Sequence, residues 1–187
     1  MNIFFLDEDT ELCAQGHYDI HVSKMVLETA QLMSTAHRLA DSSVREMVYK
    51  MTHKNHPSSV WVRESKAHYE WLFSLFCELN KEFRHRRGKD HMSWVKLRHH
   101  LSGAPALPHN EWLRDPPQCM PEKYNDPDTV NAYRNYYTDG KRRLKSYTNR
   151  AVPVWMNEGA TDVLTQCNDN PHNTRTKDRR HDTFTHR

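Results

Sequence analysis

Between positions 20 and 40, Val22, Met25, Val26, Thr29, Met33, Ala36 and Ala40 recur at steps of three and four. That spacing stacks small and apolar side chains on one stripe of an α-helix, whereas a strand would need a period of two. A second seam, Trp61, Tyr69, Leu72, Phe76, Leu79 and Phe83, predicts a longer helix over positions 57–87. Pro57 suits its first turn, where the missing N–H has no intrahelical partner, and Gly88 can adopt the left-handed conformation that ends helices. Residues 91–101 predict another turn or two, stopped by Ser102, Gly103, Ala104 and Pro105. Asp128 is placed to cap a third main helix bearing Val130, Tyr133, Tyr137, Leu144 and Tyr147. Gly140 inside it costs about 1 kcal/mol.

Pro105, Pro108, Pro116, Pro117, Pro121 and Pro127 forbid a long helix between these elements and weaken any strand. The expectation is an extended segment laid over the helices and pinned by Trp112, Met120 and Tyr124. A closing segment, residues 151–156, folds back onto the core. Beyond Asn157 the only apolar residues are Ala160, Val163, Leu164, Cys167 and Phe184, too few to bury. The predicted architecture is therefore all-α: a single compact domain of three main helices over residues 1–156, with a proline-rich extended crossing segment, and a disordered C-terminal tail over 157–187.

A chain of 187 residues suffices for one apolar core. No apolar stretch approaches the roughly 20 residues of a membrane span, and the apolar run at 3–6 has no basic flank before it and no small-residue cleavage site after it. Cys13, Cys77, Cys119 and Cys167 form no C-x-x-C pair, which points to reduced thiols and a cytoplasmic setting. The net charge of +3 is mild, but the basic residues are clustered. They run Arg84-His85-Arg86-Arg87-Gly88-Lys89, Lys96-Leu97-Arg98-His99-His100 and Lys141-Arg142-Arg143-Leu144-Lys145. One such run is ordinarily a solvated helix face or end that complements the helix dipole; three in one small chain favour an anionic partner.

The face of the first long helix opposite its apolar stripe carries His21, Lys24, Glu28, Gln31, Thr35 and Arg38. His21, Lys24 and Glu28 are the candidate catalytic residues. A carboxylate can act as general base or stabilise a developing sugar cation, and an amine can attack an electrophilic carbon. The bland alternative is a surface Lys–Glu pair worth about 0.3–0.5 kcal/mol. Ahead of the next helix stand His53, Lys54, Asn55 and His56, followed by Arg63. They surround a helix N-terminus, which offers unpaired N–H groups to a phosphate, or they merely cap and turn. With Arg86, Arg87, Lys89, Arg142 and Arg143 they form the candidate nucleic-acid-binding set. Arg134 and Tyr136 join that set because a ring beside a cation can stack on bases. The fourteen histidines include pairs at zinc-compatible spacing, His17 with His21 and His53 with His56. They lack the surrounding motif of a zinc enzyme, so no metal and no cofactor is expected.

Taken in order, these features are a polar His/Lys/Glu stripe, a His-Pro start to a long aromatic helix ending in Arg-Gly, a proline-rich crossing and an aromatic Arg-x-x-Pro-x-Trp close. Together they resemble the phage-type pyrimidine-dimer DNA glycosylases, also called endonuclease V. The likeness is of architecture over residues 1–156. The chain also resembles a phage protein family through residues 21–38, 52–65 and 133–137. In the glycosylases a glutamate of the first helix is essential, and the amine of the processed N-terminal residue forms a Schiff base with the sugar. Glu28 matches the glutamate. The nucleophile does not carry over directly, because Asn2 is larger than the residues after which initiator Met is normally removed. Met1's own amine, Lys24, or a loss of lyase chemistry are the alternatives. The resemblance implies a DNA-acting enzyme, excising or modifying a base of phage or host double-stranded DNA without membrane association. Two rivals stand beside it: a non-catalytic nucleic-acid binder or inhibitor of a host enzyme, and an enzyme acting on free nucleotides.

Overall fold

In the computed structural model, residues 1–158 are described; the predicted tail from residue 159 on lies outside them, while Asn157 and Glu158, also assigned to that tail, are helical. Seven α-helices are found among these residues, and no strand. They are α1 (Thr10–Gly16), α2 (Asp19–Leu39), α3 (Pro57–Glu64), α4 (Lys66–Arg87), α5 (Met92–Leu97), α6 (Thr129–Asn135) and α7 (Trp155–Glu158). No helix among them is long and apolar enough to cross a membrane. The long helices α2 and α4 pack on each other; α1 packs on α4, and α3 and α5 each touch both members of the pair. Val22, Met25, Val26 and Met33 of α2 meet Leu72, Leu75, Phe76 and Leu79 of α4 in a core where each is at most 1% exposed. Each such side chain contributes roughly 1.5–3 kcal/mol relative to exposure.

α2 begins and ends within a residue of where its periodicity places it. α1 is an addition: Asp9 accepts hydrogen bonds from Glu11 and Leu12 N–H, both at 2.9 Å, and seats a helix of seven residues, too short to show periodicity. The single helix predicted over 57–87 is two. Ser65 takes an extended conformation, φ −148° and ψ 147°, its hydroxyl accepts from Ala67 N–H, and it donates to the Glu111 carbonyl. Lys66 and Ala67 N–H bond to the carbonyls of His109 and Asn110, and Ser65 bridges to His109. The helix breaks where the crossing segment supplies the hydrogen bonds that its interior would have made. Gly88 closes α4 at φ 71°, as predicted.

The third main helix is also interrupted. Asp128 caps α6, accepting from Val130 at 2.8 Å and Asn131 at 3.1 Å, but after Asn135 the chain widens into a π turn (Tyr136–Gly140) and then a 3₁₀ turn (Arg142–Leu144). The widening carries Tyr137 fully into the core beside Tyr18 and Phe4. Of the three anchors expected in the crossing segment, Tyr124 is buried and Met120 packs on the core, whereas Trp112 is 41% exposed.

A buried ionic network joins the ends of the long helices. Arg86, its side chain 1% exposed, donates to Asp19 at 2.9 Å, to Glu82 at 2.6 Å and to the carbonyls of His17 and Gln15. Arg150 adds two bonds to Glu82, and Ser146 and Thr148 bind Asp19. Burial pushes both carboxylates up, but these hydrogen bonds and cations outweigh it, holding Asp19 and Glu82 below the usual carboxylate range. The sequence assigned Arg86 to nucleic-acid binding. That reading is corrected: its guanidinium is enclosed and fully engaged within the protein.

Candidate functional site

Residues 3–6 are set in the core, none more than 7% exposed, and turn back through a Leu6 N–H bond to the Phe4 carbonyl at 3.1 Å. The Asn2 backbone N–H donates to Glu28 Oε2 at 3.2 Å, and the Asn2 side chain donates to the Cys119 carbonyl at 2.9 Å. The Tyr133 hydroxyl lies 2.7 Å from both Asn2 Oδ1 and the Pro117 carbonyl, so its one proton is shared between them. The first turn of chain is thereby clamped by the crossing segment and α6, and its backbone is aimed at a carboxylate that is only 12% exposed. Lys24, one helical turn earlier and well exposed, brings its ammonium to 3.5 Å from Glu28 Oε1.

The loop leading to α3 lies along the same side of α2. The Thr35 hydroxyl is bonded to the Thr52 carbonyl at 3.2 Å and to its N–H at 3.3 Å, and Arg38 donates to the carbonyls of Val48 and Tyr49. Thr35 is therefore buried, not part of a solvated stripe. This docking sets His56 near Glu28. Burial lowers the His56 pKa, the Met1 amino group and His53 lower it further, and Glu28 acts in the opposite sense. His56 Nδ1 accepts from Ser58 N–H at 3.2 Å, so the imidazole itself satisfies one of the free N–H groups of α3. His53, at φ 48°, is bonded to the Thr52 hydroxyl through Nδ1 at 2.6 Å.

His21 departs from its expected place. It is 5% exposed, stacked on Phe4 at 4.6 Å, with Nδ1 2.6 Å from the Tyr137 hydroxyl. Burial, then His17, Lys141 and Lys24, push its pKa down to about 3. It is a buried ring, kept neutral by its enclosure, and not an exposed acid or base. The same electrostatic coupling locates Lys141 beside the N-terminal half of α2, where its ammonium also lies 5.0 Å over the half-buried Tyr136 ring.

The other sequence candidates divide into engaged and open groups. Arg134 is held by the Leu6 carbonyl and Asp7, and Arg63 by the Lys54 carbonyl and Ser59. Lys54, Arg87, Lys89, Arg142 and Arg143 are exposed and make no ion pair among the described residues, as does the uncharged Asn55. Arg87 and Lys89 are at the C-terminal end of α4, and no contact joins them to the Glu28 cluster. The sequence reading named Asn2, Tyr133 and Cys119 for other reasons but did not group them with Glu28, because their pairings span up to 131 residues. Among the described residues no group of three His, Cys, Asp or Glu is arranged to hold a metal ion. Comparison of the chain with protein-family models, curated proteins and solved structures finds no match.

Proposed function

We propose that the protein is a DNA-acting enzyme of the pyrimidine-dimer glycosylase type, which excises or modifies a base using Glu28 and a neighbouring amine. One observation carries this reading: a largely enclosed carboxylate receives the Asn2 backbone N–H at 3.2 Å and the Lys24 ammonium at 3.5 Å. The Met1 amino group is also near enough to act on His56. A carboxylate in that position can take a proton from an attacking amine and stabilise positive charge developing on a sugar. The amine attacks the sugar carbon C1′ and gives a proton to Glu28, while the base departs with the bonding electron pair and takes up a proton from solvent; the C1′–O4′ bond then breaks, the ring oxygen takes the proton from Glu28, and an open-chain iminium remains. Lys141 and Arg142, which act on His21 and Tyr18 at the start of α2, and the exposed Arg143 are available to phosphates, and Tyr136 to a flipped base, whose extrusion costs a few kcal/mol.

Borohydride added to protein and lesion-containing duplex is expected to reduce the iminium to a stable amine. Peptide mapping of the adduct then distinguishes Met1 from Lys24, and Glu28→Gln abolishes trapping. Absence of any adduct across lesion types, with duplex binding unchanged in Glu28→Gln, would leave the non-catalytic binder. That reading is favoured by the unpaired Lys54, Arg87, Lys89, Arg142 and Arg143, and it requires binding that weakens steeply with salt.

A further inference from the structure

Trp112 is an exposed indole on a segment without helix or strand, yet its neighbours are fixed from every side. Ser65 donates to the Glu111 carbonyl. The buried His68 donates from Nδ1 to the Trp61 carbonyl at 2.8 Å, so its Nε2 is free to accept from Leu113 N–H at 3.1 Å. Trp61 Nε1–H donates to the Arg114 carbonyl at 2.9 Å, and Arg114 forms a two-point bond with Glu64. A coil segment needs no such scaffold merely to cross a helix. Here the scaffold fixes one indole so that it faces a second. Trp71, itself held by a bond from Nε1–H to the Glu8 carbonyl at 3.0 Å, lies 6.2 Å from Trp112 at 68° and 5.0 Å from Phe5 at 56°.

These three rings wall a hollow of about 270 Å³, and its remaining lining is Glu8 and Asp115. Neither carboxylate has an ion-pair partner among the described residues, whereas the nearby Glu64 does. Three aromatic walls with two uncompensated negative charges at the rim are attractive to a diffuse cation through the ring quadrupoles. A hard metal ion is held by oxygen ligands, and the three rings that make up most of the lining supply none. A bare ammonium is compact and strongly hydrated and gains less from leaving water. The volume falls just under the roughly 300–1,000 Å³ of drug-sized ligand sites, which suits a head group.

We propose that this hollow binds the alkylated ammonium group of a small molecule, a choline-like head group, independently of the Glu28 cluster, with which it shares no residue. Choline chloride is titrated into the full chain and followed by tryptophan fluorescence and indole N–H chemical shifts. Its uncharged isostere 3,3-dimethyl-1-butanol serves as comparison. A saturable response to choline is expected, at least tenfold weaker for the isostere and for Trp112→Ala, partly restored in Trp112→Phe, and several-fold weaker in Asp115→Asn. Far-UV circular dichroism verifies that each variant keeps its helices. Equal binding of the isostere would make the hollow an apolar cleft and overturn the proposal, as would no saturable response or a response indifferent to Trp112→Ala. A trimethyllysine peptide that binds tenfold tighter than choline would overturn the small-molecule assignment in favour of a protein partner.

Discussion

Acidification from pH 7 to pH 5 is expected to remove about 4 kcal/mol of folding stability, through two histidines that the fold keeps neutral. His17 is completely enclosed; its Nδ1 lies 2.7 Å from the Cys13 carbonyl, and its Nε2 has no partner among the described residues. Burial pushes its pKa down to about 4, Arg86 contributes in the same sense, and the Cys13 carbonyl opposes them. His21 is pushed to about 3, first by burial and then by His17, Lys141 and Lys24. Unfolded, each titrates near 6.5. Below that pH the unfolded chain takes up protons that the folded chain refuses, so stability falls until the folded values are reached. One pKa unit is worth about 1.4 kcal/mol, and pH 5 lies about 1.5 units below the unfolded value of each group, giving roughly 2 kcal/mol apiece. His37, His56, His68 and His91 are shifted in the same direction and add to the effect. Asp19 and Glu82 are depressed carboxylates whose contribution is present above their unfolded pKa values of 3.8 and 4.5, and so is retained at pH 5. Against a typical total of about 5–15 kcal/mol, such a loss is readily measured. Urea unfolding at pH 7, 6 and 5 provides the test, with His17→Gln expected to start less stable but with a shallower slope, by about 1.4 kcal/mol per pH unit. A stability that changes by less than about 1 kcal/mol over this range would refute the reasoning.

Glu82→Gln leaves the enclosed Arg86 with only Asp19 as a counter-charge and should cost about 3–5 kcal/mol in urea unfolding; a loss under about 1 kcal/mol would mean the network is not a structural clamp. In Gly140→Ala, the new methyl carbon would meet the Tyr136 ring at 2.6 Å and the Tyr124 hydroxyl at 2.9 Å. The ring must move, at an expected cost of about 1–3 kcal/mol, and a duplex-binding assay should register the displaced tyrosine if it stacks on a base.

Where an element depends on its own neighbours in sequence, the chain states it openly. The stripe from Val22 to Ala36 defines α2, Pro57 and Gly88 mark a helix start and a helix end, and Asp128 caps α6, because propensity and capping act over four or five residues. What escaped was decided by partners far along the chain. The Ser65 break answers to Glu111, 46 residues on, and the withdrawal of His21 into the core answers to Tyr137, 116 residues on. In sequence Arg86 looks like its neighbours Arg84 and Arg87, and only the tertiary packing distinguishes the enclosed guanidinium from the solvated ones. Glu28 and Lys24 were visible as a pair one turn apart, but that spacing is common on helices. Their distinction comes from Asn2, which no local pattern connects to α2.

The Asn2 clamp also has a kinetic meaning. Its partners lie 26, 117 and 131 residues away, so bringing them together closes very long loops, and contacts of that span are slow to form. The helices can assemble first, while the opening residues wait for the crossing segment and α6 to arrive. The contact between Asn2 and Glu28 is then completed late, and a chain shortened before Tyr133 would retain the carboxylate yet lack the fastening that holds Asn2 beside it.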